Sequence, residues 1–130
     1  MDIASLYSDT TLIEIKDPRT SKPIGITVEV RSPESDEVKA VQRAWQDKVL
    51  KSKGKDITAE DADNQAVETL VAVVASWEWD KKLKWLGKTP DNSDAFKREV
   101  LSSKEGSFIL RQIDAAHGEE ARFFANSVKT

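Results

Sequence analysis

The longest unbroken pattern in the chain runs over residues 58–79, TAEDADNQAVETLVAVVASWEW. It contains neither Gly nor Pro, and three carboxylates follow Thr58 closely, which is typical of a capped helix start. The β-branched centre could also form a buried strand, but the length of the segment and its acidic beginning favour a helix. One stripe of this helix would carry the core side chains Ala62, Ala66, Leu70, Val73 and Trp77. We therefore predict that this segment is the central helix of the fold.

The first third of the chain has the pattern of β structure. Residues 11–16 are rich in β-branched side chains, and residues 24–30 alternate between apolar and polar. Residues 17–23, which include Pro18 and Pro23, are typical of a turn. The pattern predicts a β-hairpin over residues 9–31. An isolated hairpin is only marginally stable, so it must pack on the helices or pair with another copy, and its free edge leads us to expect a homo-oligomer.

Three more helices are predicted around the central one. The first covers residues 33–53, with Ser32 as its N-cap and Gly54 just beyond its end. A third helix begins after Ser93, and a fourth follows Gly106. The expected fold is mainly α, with the N-terminal β-hairpin packed on a compact bundle of about four helices. We expect one domain over residues 1–130, with a helical part at 33–125 and a frayed tail at 126–130.

The composition excludes several kinds of chemistry. The 130 residues include no Cys and a single His, and 20 basic side chains face 23 acidic ones for a net charge of -3. Without Cys there are no disulfides, thiolate metal sites or Cys nucleophiles. The single histidine, His117, precedes Gly118 near a predicted helix end, where a structural role is expected. No phosphate-binding Gly loop is present, so much enzyme chemistry is excluded, and we expect no cofactor and no metal site.

The charge and hydropathy patterns also bear on partners. The longest apolar run, residues 70–75, is far shorter than the roughly 20 residues that span a bilayer. The nearly balanced charge gives no general attraction to nucleic acid or to anionic membranes. We therefore expect neither a membrane nor nucleic acid as a partner.

The tryptophans are unevenly distributed. Three of the four lie within residues 77–85. On a helix Trp77 and Trp79 would point about 200° apart, which places only Trp77 in the core. One interpretation is that Trp79 or Trp85 is exposed and binds a partner protein, together with the adjacent lysines Lys81, Lys82 and Lys84. The other is that a folded-back loop covers both rings, with the lysine stems packed on them.

Several segments from this point onward follow the order of a known family. They are residues 73–80 (VVASWEWD), Gly87, the Ser93-capped helix with Leu101, residues 109–113 (ILRQI) and residues 121–124 (ARFF). Over about residues 66–125 the chain resembles the tail assembly chaperones of long-tailed, non-contractile bacteriophages. These small proteins are encoded between the tail tube and tape measure proteins. The residues that we assign to the core or to this pattern are Trp77, Gly87, Leu101, Ile113, Phe123 and Phe124.

The resemblance implies a non-enzymatic function. Such chaperones bind the long helical tape measure protein in many copies, keep it soluble and help to recruit tail tube subunits. The implied partners are the tape measure protein and, through a longer frameshifted product, the tail tube protein. The implied location is the host cell cytoplasm, with the chain absent from the mature virion. We expect Trp79, Trp85 and the adjacent lysines to contribute to the partner surface.

Two alternative functions remain open from the sequence. One is a structural phage tail or head–tail joining protein that is retained in the virion. The other is a nucleic-acid-associated helical module that uses two lysine clusters, at residues 48–55 and 81–88. Both clusters also lie near predicted helix ends, where cations interact favourably with the helix dipole.

Overall fold

In the computed structural model, helices cover one face of a three-stranded antiparallel sheet. The structure describes residues 2–53 and 55–124; Gly54 and the tail predicted at 126–130 lie outside these ranges. The elements are β1 (Thr10–Lys16), β2 (Pro23–Arg31), α1 (Asp36–Ser52), α2 (Ala59–Val73), β3 (Val74–Trp79), α3 (Asp94–Ser102) and α4 (Ser107–His117). Short 3-10 helices cover Ile3–Leu6 and Glu120–Phe123. An N-terminal hairpin followed by four helices is thus confirmed, but the sheet has a third strand.

The prediction of a continuous helix through Trp77 is wrong. α2 ends at Val73, and the chain continues without a loop into β3, which pairs antiparallel with β2. In this register Val28 faces Trp77 and Ile26 faces Trp79. Alternate residues of a strand share a face, so both tryptophans point to the helix-covered side. The expected 200° separation of their side chains therefore does not apply.

Two cations from other elements allow this abrupt change from helix to strand. Arg31 donates to the Ala72 carbonyl at 2.7 Å, and the Lys97 ammonium donates to the Val74 carbonyl at 3.1 Å. The last carbonyls of a helix lack partners within the helix and carry partial negative charge. Arg31 from β2 and Lys97 from α3 satisfy two carbonyls at this end without a Gly or Pro stop signal. The reason for the change is therefore tertiary, and the local pattern does not contain it.

The first helix also begins later than predicted. Ser35, not Ser32, is the N-cap of α1, and its hydroxyl accepts from the Val38 N–H. Ser32 is buried and already engaged, because its hydroxyl bonds with that of Tyr7 and accepts from the Glu34 N–H. Both serines precede an acidic turn, and only the long-range contact with Tyr7 distinguishes them. By contrast, Ser93 caps α3 as predicted.

The core lies between the sheet and helices α2, α3 and α4, while α1 packs mainly on α2. Along the stripe predicted for α2, Leu70 and Val73 are buried but Ala62 and Ala66 are exposed. The first half of α2 thus extends beyond the core together with α1. The four predicted helices are present, but 'mainly α' is a loose description of a fold in which they pack on a three-stranded sheet. Among the described residues, no helix is long and apolar enough to cross a membrane.

Candidate partner-binding site

Four aromatic rings meet where β3 approaches α3. We call this cluster, Trp77, Trp79, Trp85 and Phe96, the aromatic joint. The Trp79 ring lies in the middle, with centroids 5.6 Å from Trp77, 5.9 Å from Phe96 and 6.3 Å from Trp85. All of these pairs meet edge to face, an arrangement that the ring quadrupoles favour. The joint therefore continues the hydrophobic core to the end of β3.

Trp77 is the anchored member of the joint. It is 4% exposed, and its indole N–H donates to the Asp91 carbonyl at 2.7 Å. Its backbone N–H, on the free edge of β3, donates to the Asn92 side-chain oxygen at 2.8 Å. These two bonds hold the far end of the loop that follows β3 against the strand. Asn92 was not among the predicted site residues, and only the strand position of Trp77 reveals its role.

Trp79 and Trp85 are held differently. Both are half-buried, and within the described residues neither buried indole N–H has a hydrogen-bond acceptor. A buried donor without an acceptor costs about 1–3 kcal/mol. Residues 80–92 fold back over the strand, so the second interpretation of the sequence, a covering loop, describes these rings. The joint nevertheless contains two donors for which residues 2–53 and 55–124 provide no acceptor.

The covering loop includes a two-residue hairpin turn. Trp85 and Lys88 exchange two backbone hydrogen bonds of 2.9 and 2.8 Å, and Leu86 and Gly87 both have positive φ between them. This is the geometry of a type I′ turn, which explains the need for Gly87. Leu86 is 73% exposed at the tip. Lys88 ties the turn to α3 through an ion pair of 2.8 Å with Glu99.

Between the loop and β3 lies an open groove of about 330 Å³. Its apolar wall is formed by Trp77, Trp79, Leu83 and Pro90, and its polar rim includes Glu78, Asp80, Lys81 and Asp91. Such a groove presents an apolar floor with charges at its edge, which suits a peptide segment that has both characters.

The predicted lysines do not converge on this groove. Lys81 lines it, but Lys82 lines a second groove on the neighbouring surface, beside Gly25 and Thr27. Lys84 lines neither groove and donates to the Thr89 hydroxyl at 3.1 Å. The three cations are therefore spread around the loop and do not form a single patch.

Gly25 supports the site from β2 and was not recognised in the sequence. Its φ is +99°, and a Cβ built on it would lie 3.0 Å from the Cβ of Asp80. Its carbonyl accepts from the Asp80 N–H at 2.7 Å. Gly25 thus permits the close approach that turns the chain out of β3. The alternation of the surrounding residues conceals this role, because Gly25 occupies an ordinary position in the strand pattern.

The other residues of the family pattern lie in or near the core. Leu101 of α3 and Ile113 of α4 are buried, and so is Phe123. Phe124 is 38% exposed and meets Tyr7 edge to face. These positions hold the helices on the sheet, and none of them lines the groove.

A cleft distinct from both of these grooves, of about 500 Å³, is lined by charged side chains of both signs. Its cations are Arg31, Lys97 and Arg98, and its carboxylates are Glu37, Glu68 and Asp94. Arg98 hydrogen-bonds Glu68, which lowers the pKa of that carboxyl group. Arg31 and Lys97 serve the end of α2 as described above. The charges of this cleft are thus largely engaged with one another and with the backbone.

Comparison with known proteins adds no identification: no family model, no curated protein and no solved structure matches the chain. In the described part of the chain, no three His, Asp or Glu side chains cluster as metal ligands would.

Proposed function

We propose that this chain is a non-enzymatic tail assembly chaperone that binds and solubilises the tape measure protein of a long-tailed phage. The proposal starts from the resemblance over residues 66–125. The observation that supports it best is the open groove beside the aromatic joint, whose apolar wall is formed by Trp77, Trp79, Leu83 and Pro90. Amphipathic helices bind in grooves of this character. A segment seated there would contact the apolar wall with one face and the charged rim of Glu78, Asp80 and Lys81 with its edges.

The other expectations belong to the same proposal. The chain would act in the host cytoplasm, recruit tail tube protein through a longer frameshifted product and leave before the virion is complete. Mass spectrometry of purified particles separates this from a retained structural protein. A chaperone is absent from the particles, whereas the chain at a fixed number of copies per virion would overturn the proposal.

Co-expression with the tape measure protein encoded beside it tests the function. We expect the soluble share of the tape measure protein to rise severalfold with the wild-type chain, and the two proteins to co-purify. An unchanged soluble share with no co-purification would rule out the chaperone function.

The groove itself is tested by a charge placed in its wall. Leu83→Glu should abolish co-purification, because an unpaired carboxylate cannot be buried against an apolar segment. Leu12→Glu is the matched control, since Leu12 is 69% exposed on the opposite face of the sheet. A melting curve verifies that Leu83→Glu still folds.

A second variant avoids any change to a packed side chain. Lys81→Glu combined with Lys84→Glu alters only exposed positions around the loop. Its control is Lys16→Glu combined with Lys104→Glu, which changes the charge equally and touches neither groove. The double variant should weaken co-purification through Lys81, which lines the groove, whereas Lys84 lies beside it. Full co-purification both by Leu83→Glu and by this double variant would refute the location of the site.

A further inference from the structure

The outer parts of helices α1 and α2 form an arm in which no described side chain is buried. Val38 at its base and Leu70 on α2 are buried, but between them no residue of 39–53 or 55–69 is. We call this part, residues 39–53 and 55–69, the distal arm. Leu50 on the arm is 73% exposed. A two-helix projection without its own core gains little from packing, so a further surface is needed to stabilise it.

The two helices of the arm face each other with unlike surfaces. The apolar stripe of α1, Val41, Trp45 and Val49, is only half-buried. The groove between the helices, of about 400 Å³, has Val41, Ala44, Trp45 and Lys48 on one side and Asp61, Asn64, Gln65 and Glu68 on the other. The apolar side of α1 therefore packs on the polar side of α2.

Charge is divided sharply between the helices. Residues 43–55 carry five cations and one anion, a net charge of +4, whereas residues 59–68 carry four anions and no cation, a net charge of -4. The cations are Arg43, Lys48, Lys51, Lys53 and Lys55, and the anions of α2 are Glu60, Asp61, Asp63 and Glu68. In the described chain only Glu68 among these has an ion-pair partner, and that partner is Arg98 of α3. Hydrogen bonds from Thr58 and, to a smaller extent, the charge of Lys48 across the arm lower the pKa of Asp61. Apart from Glu68, none of these charged side chains forms a direct ion pair within the described residues of one copy.

We propose that the distal arm binds the distal arm of a second copy, with α1 of each copy against α2 of the other. The positive segment, residues 43–55, and the negative segment, residues 59–68, lie side by side at the end of the arm that is farther from the core. A two-fold axis parallel to the arm therefore brings each net +4 segment next to a net -4 segment. The four helices then alternate in charge around the axis, and the exposed Leu50 side chains move towards the shared surface.

This charge pattern selects a second copy over other occupants. A nucleic acid or an acidic helix would be attracted by α1 but repelled by α2, and a basic partner would experience the reverse. A two-fold related copy satisfies both helices at once, because the same patch serves on each side. The inference does not depend on the proposed function, since it uses no residue of the aromatic joint.

Sedimentation equilibrium at several protein concentrations tests the interface. We expect wild-type dimers at about 0.05 M salt that dissociate more readily at about 0.5 M salt, where screening weakens the pairing. One variant, Lys48→Glu with Lys51→Glu, changes α1; the other, Glu60→Lys with Asp63→Lys, changes α2. All four positions are exposed, so the fold should persist. Each variant alone should dimerise at least about tenfold more weakly.

The most direct test compares the dimerisation of each variant alone with that of the two variants mixed. Equimolar mixing of the two variants should restore dimers in part. In the mixed dimer one contact pairs an unchanged net +4 segment of α1 with an unchanged net -4 segment of α2, whereas each variant alone has a neutral segment in both contacts. The control Lys16→Glu with Lys104→Glu should dimerise like the wild type. A wild type that stays monomeric at all concentrations would overturn the proposal, and so would variants that dimerise as well alone as when mixed. Arm variants that lose only tape-measure binding would assign the arm to that partner instead.

Discussion

At the residue scale, Lys97 shows how a distant side chain can end a helix. It is 4% exposed and donates to the carbonyl of Val74. Burial lowers the pKa of its ammonium group, Asp94 opposes this shift and Arg31 adds to it. Since the lowered pKa belongs to the folded state, the unfolded chain holds this proton to higher pH. The free energy of unfolding should therefore rise with pH as folded Lys97 deprotonates.

The variant Lys97→Met isolates this effect. We expect the stability of the wild type, relative to that of Lys97→Met, to increase as the pH rises through the lowered pKa of folded Lys97 towards the ordinary lysine pKa of about 10.4. Chemical denaturation of both proteins at each pH measures the difference, and other titrating groups cancel. A difference that is constant or decreases with pH would contradict the lowered pKa.

Gly106 is required by sterics alone. Its φ is negative, but a Cβ built on it would lie 2.1 Å from the Val100 carbonyl oxygen. Gly106→Ala should cost about 1–3 kcal/mol, because backbone must move to relieve the contact. At Gly118 the nearest atom would be 3.7 Å away, so Gly118→Ala should change stability by about 0.5 kcal/mol or less. Thermal melting compares the two, and equal melting temperatures would disprove the steric argument.

Some residue roles could be predicted because they are local. Thr58 and Asp61 form a capping box, which also lowers the pKa of Asp61, and Ser93 caps α3. The N-cap of α1 could not be predicted, because Tyr7 engages Ser32 across 25 residues of sequence. The sequence near a helix start identifies the candidates for its cap, but a contact from elsewhere in the chain decides between them.

At the element scale, the change from α2 to β3 is the main departure from the predicted fold. Residues 70–77 contain β-branched and aromatic side chains that suit a strand and an apolar run that suits a helix. Pairing with β2 decides for a strand from Val74 onward, and that pairing spans more than forty residues of sequence. The same change moves Trp79 to the face of Trp77, so the aromatic joint could not be predicted either.

The hairpin turn over the joint allows a test of backbone strain. Leu86 has a φ of 49°, which costs a non-Gly residue about 1–2 kcal/mol, and its exposed side chain offers little packing in return. Asn suits the first central position of a type I′ turn, so Leu86→Asn should raise stability by about 1 kcal/mol. Gly87→Ala, at a φ of 81°, should lower it. Urea denaturation measures both, and a Leu86→Asn variant less stable than the wild type would contradict the assigned turn.

At the scale of the whole molecule, the two ends of the described chain close the fold together. The Ser8 N–H donates to the Phe123 carbonyl at 2.7 Å, and Tyr7 pairs with Phe124 in an antiparallel bridge. Phe123 is 2% exposed, whereas Phe124 is 38% exposed. The segment after α4 thus extends the core beneath the N-terminal segment.

The stability of variants at the neighbouring residues Phe123 and Phe124 tests whether the two ends of the described chain share the core. Phe123→Ala should cost about 3–5 kcal/mol, since it empties a buried aromatic position. Phe124→Ala should cost about 1 kcal/mol, the scale of an aromatic pair at the surface. Comparable losses of stability for the two variants would show that the ends do not share the core.

The overall architecture could be predicted only in part. The hairpin and the number of helices follow from alternation and helix caps, which are local. The distal arm could not be predicted, because Ala62 and Ala66 continue the same stripe as the buried Leu70. The periodicity identifies an apolar face but does not determine how far the core extends along it.

The central claim is that a segment of the tape measure protein binds in the groove beside the aromatic joint. Hydrogen–deuterium exchange of the chain, alone and with the purified tape measure protein, tests this directly. Binding at the groove predicts slower exchange within residues 77–92, with little change in the β1–β2 turn at residues 17–22. Unchanged exchange in residues 77–92 at saturating tape measure protein would contradict the account.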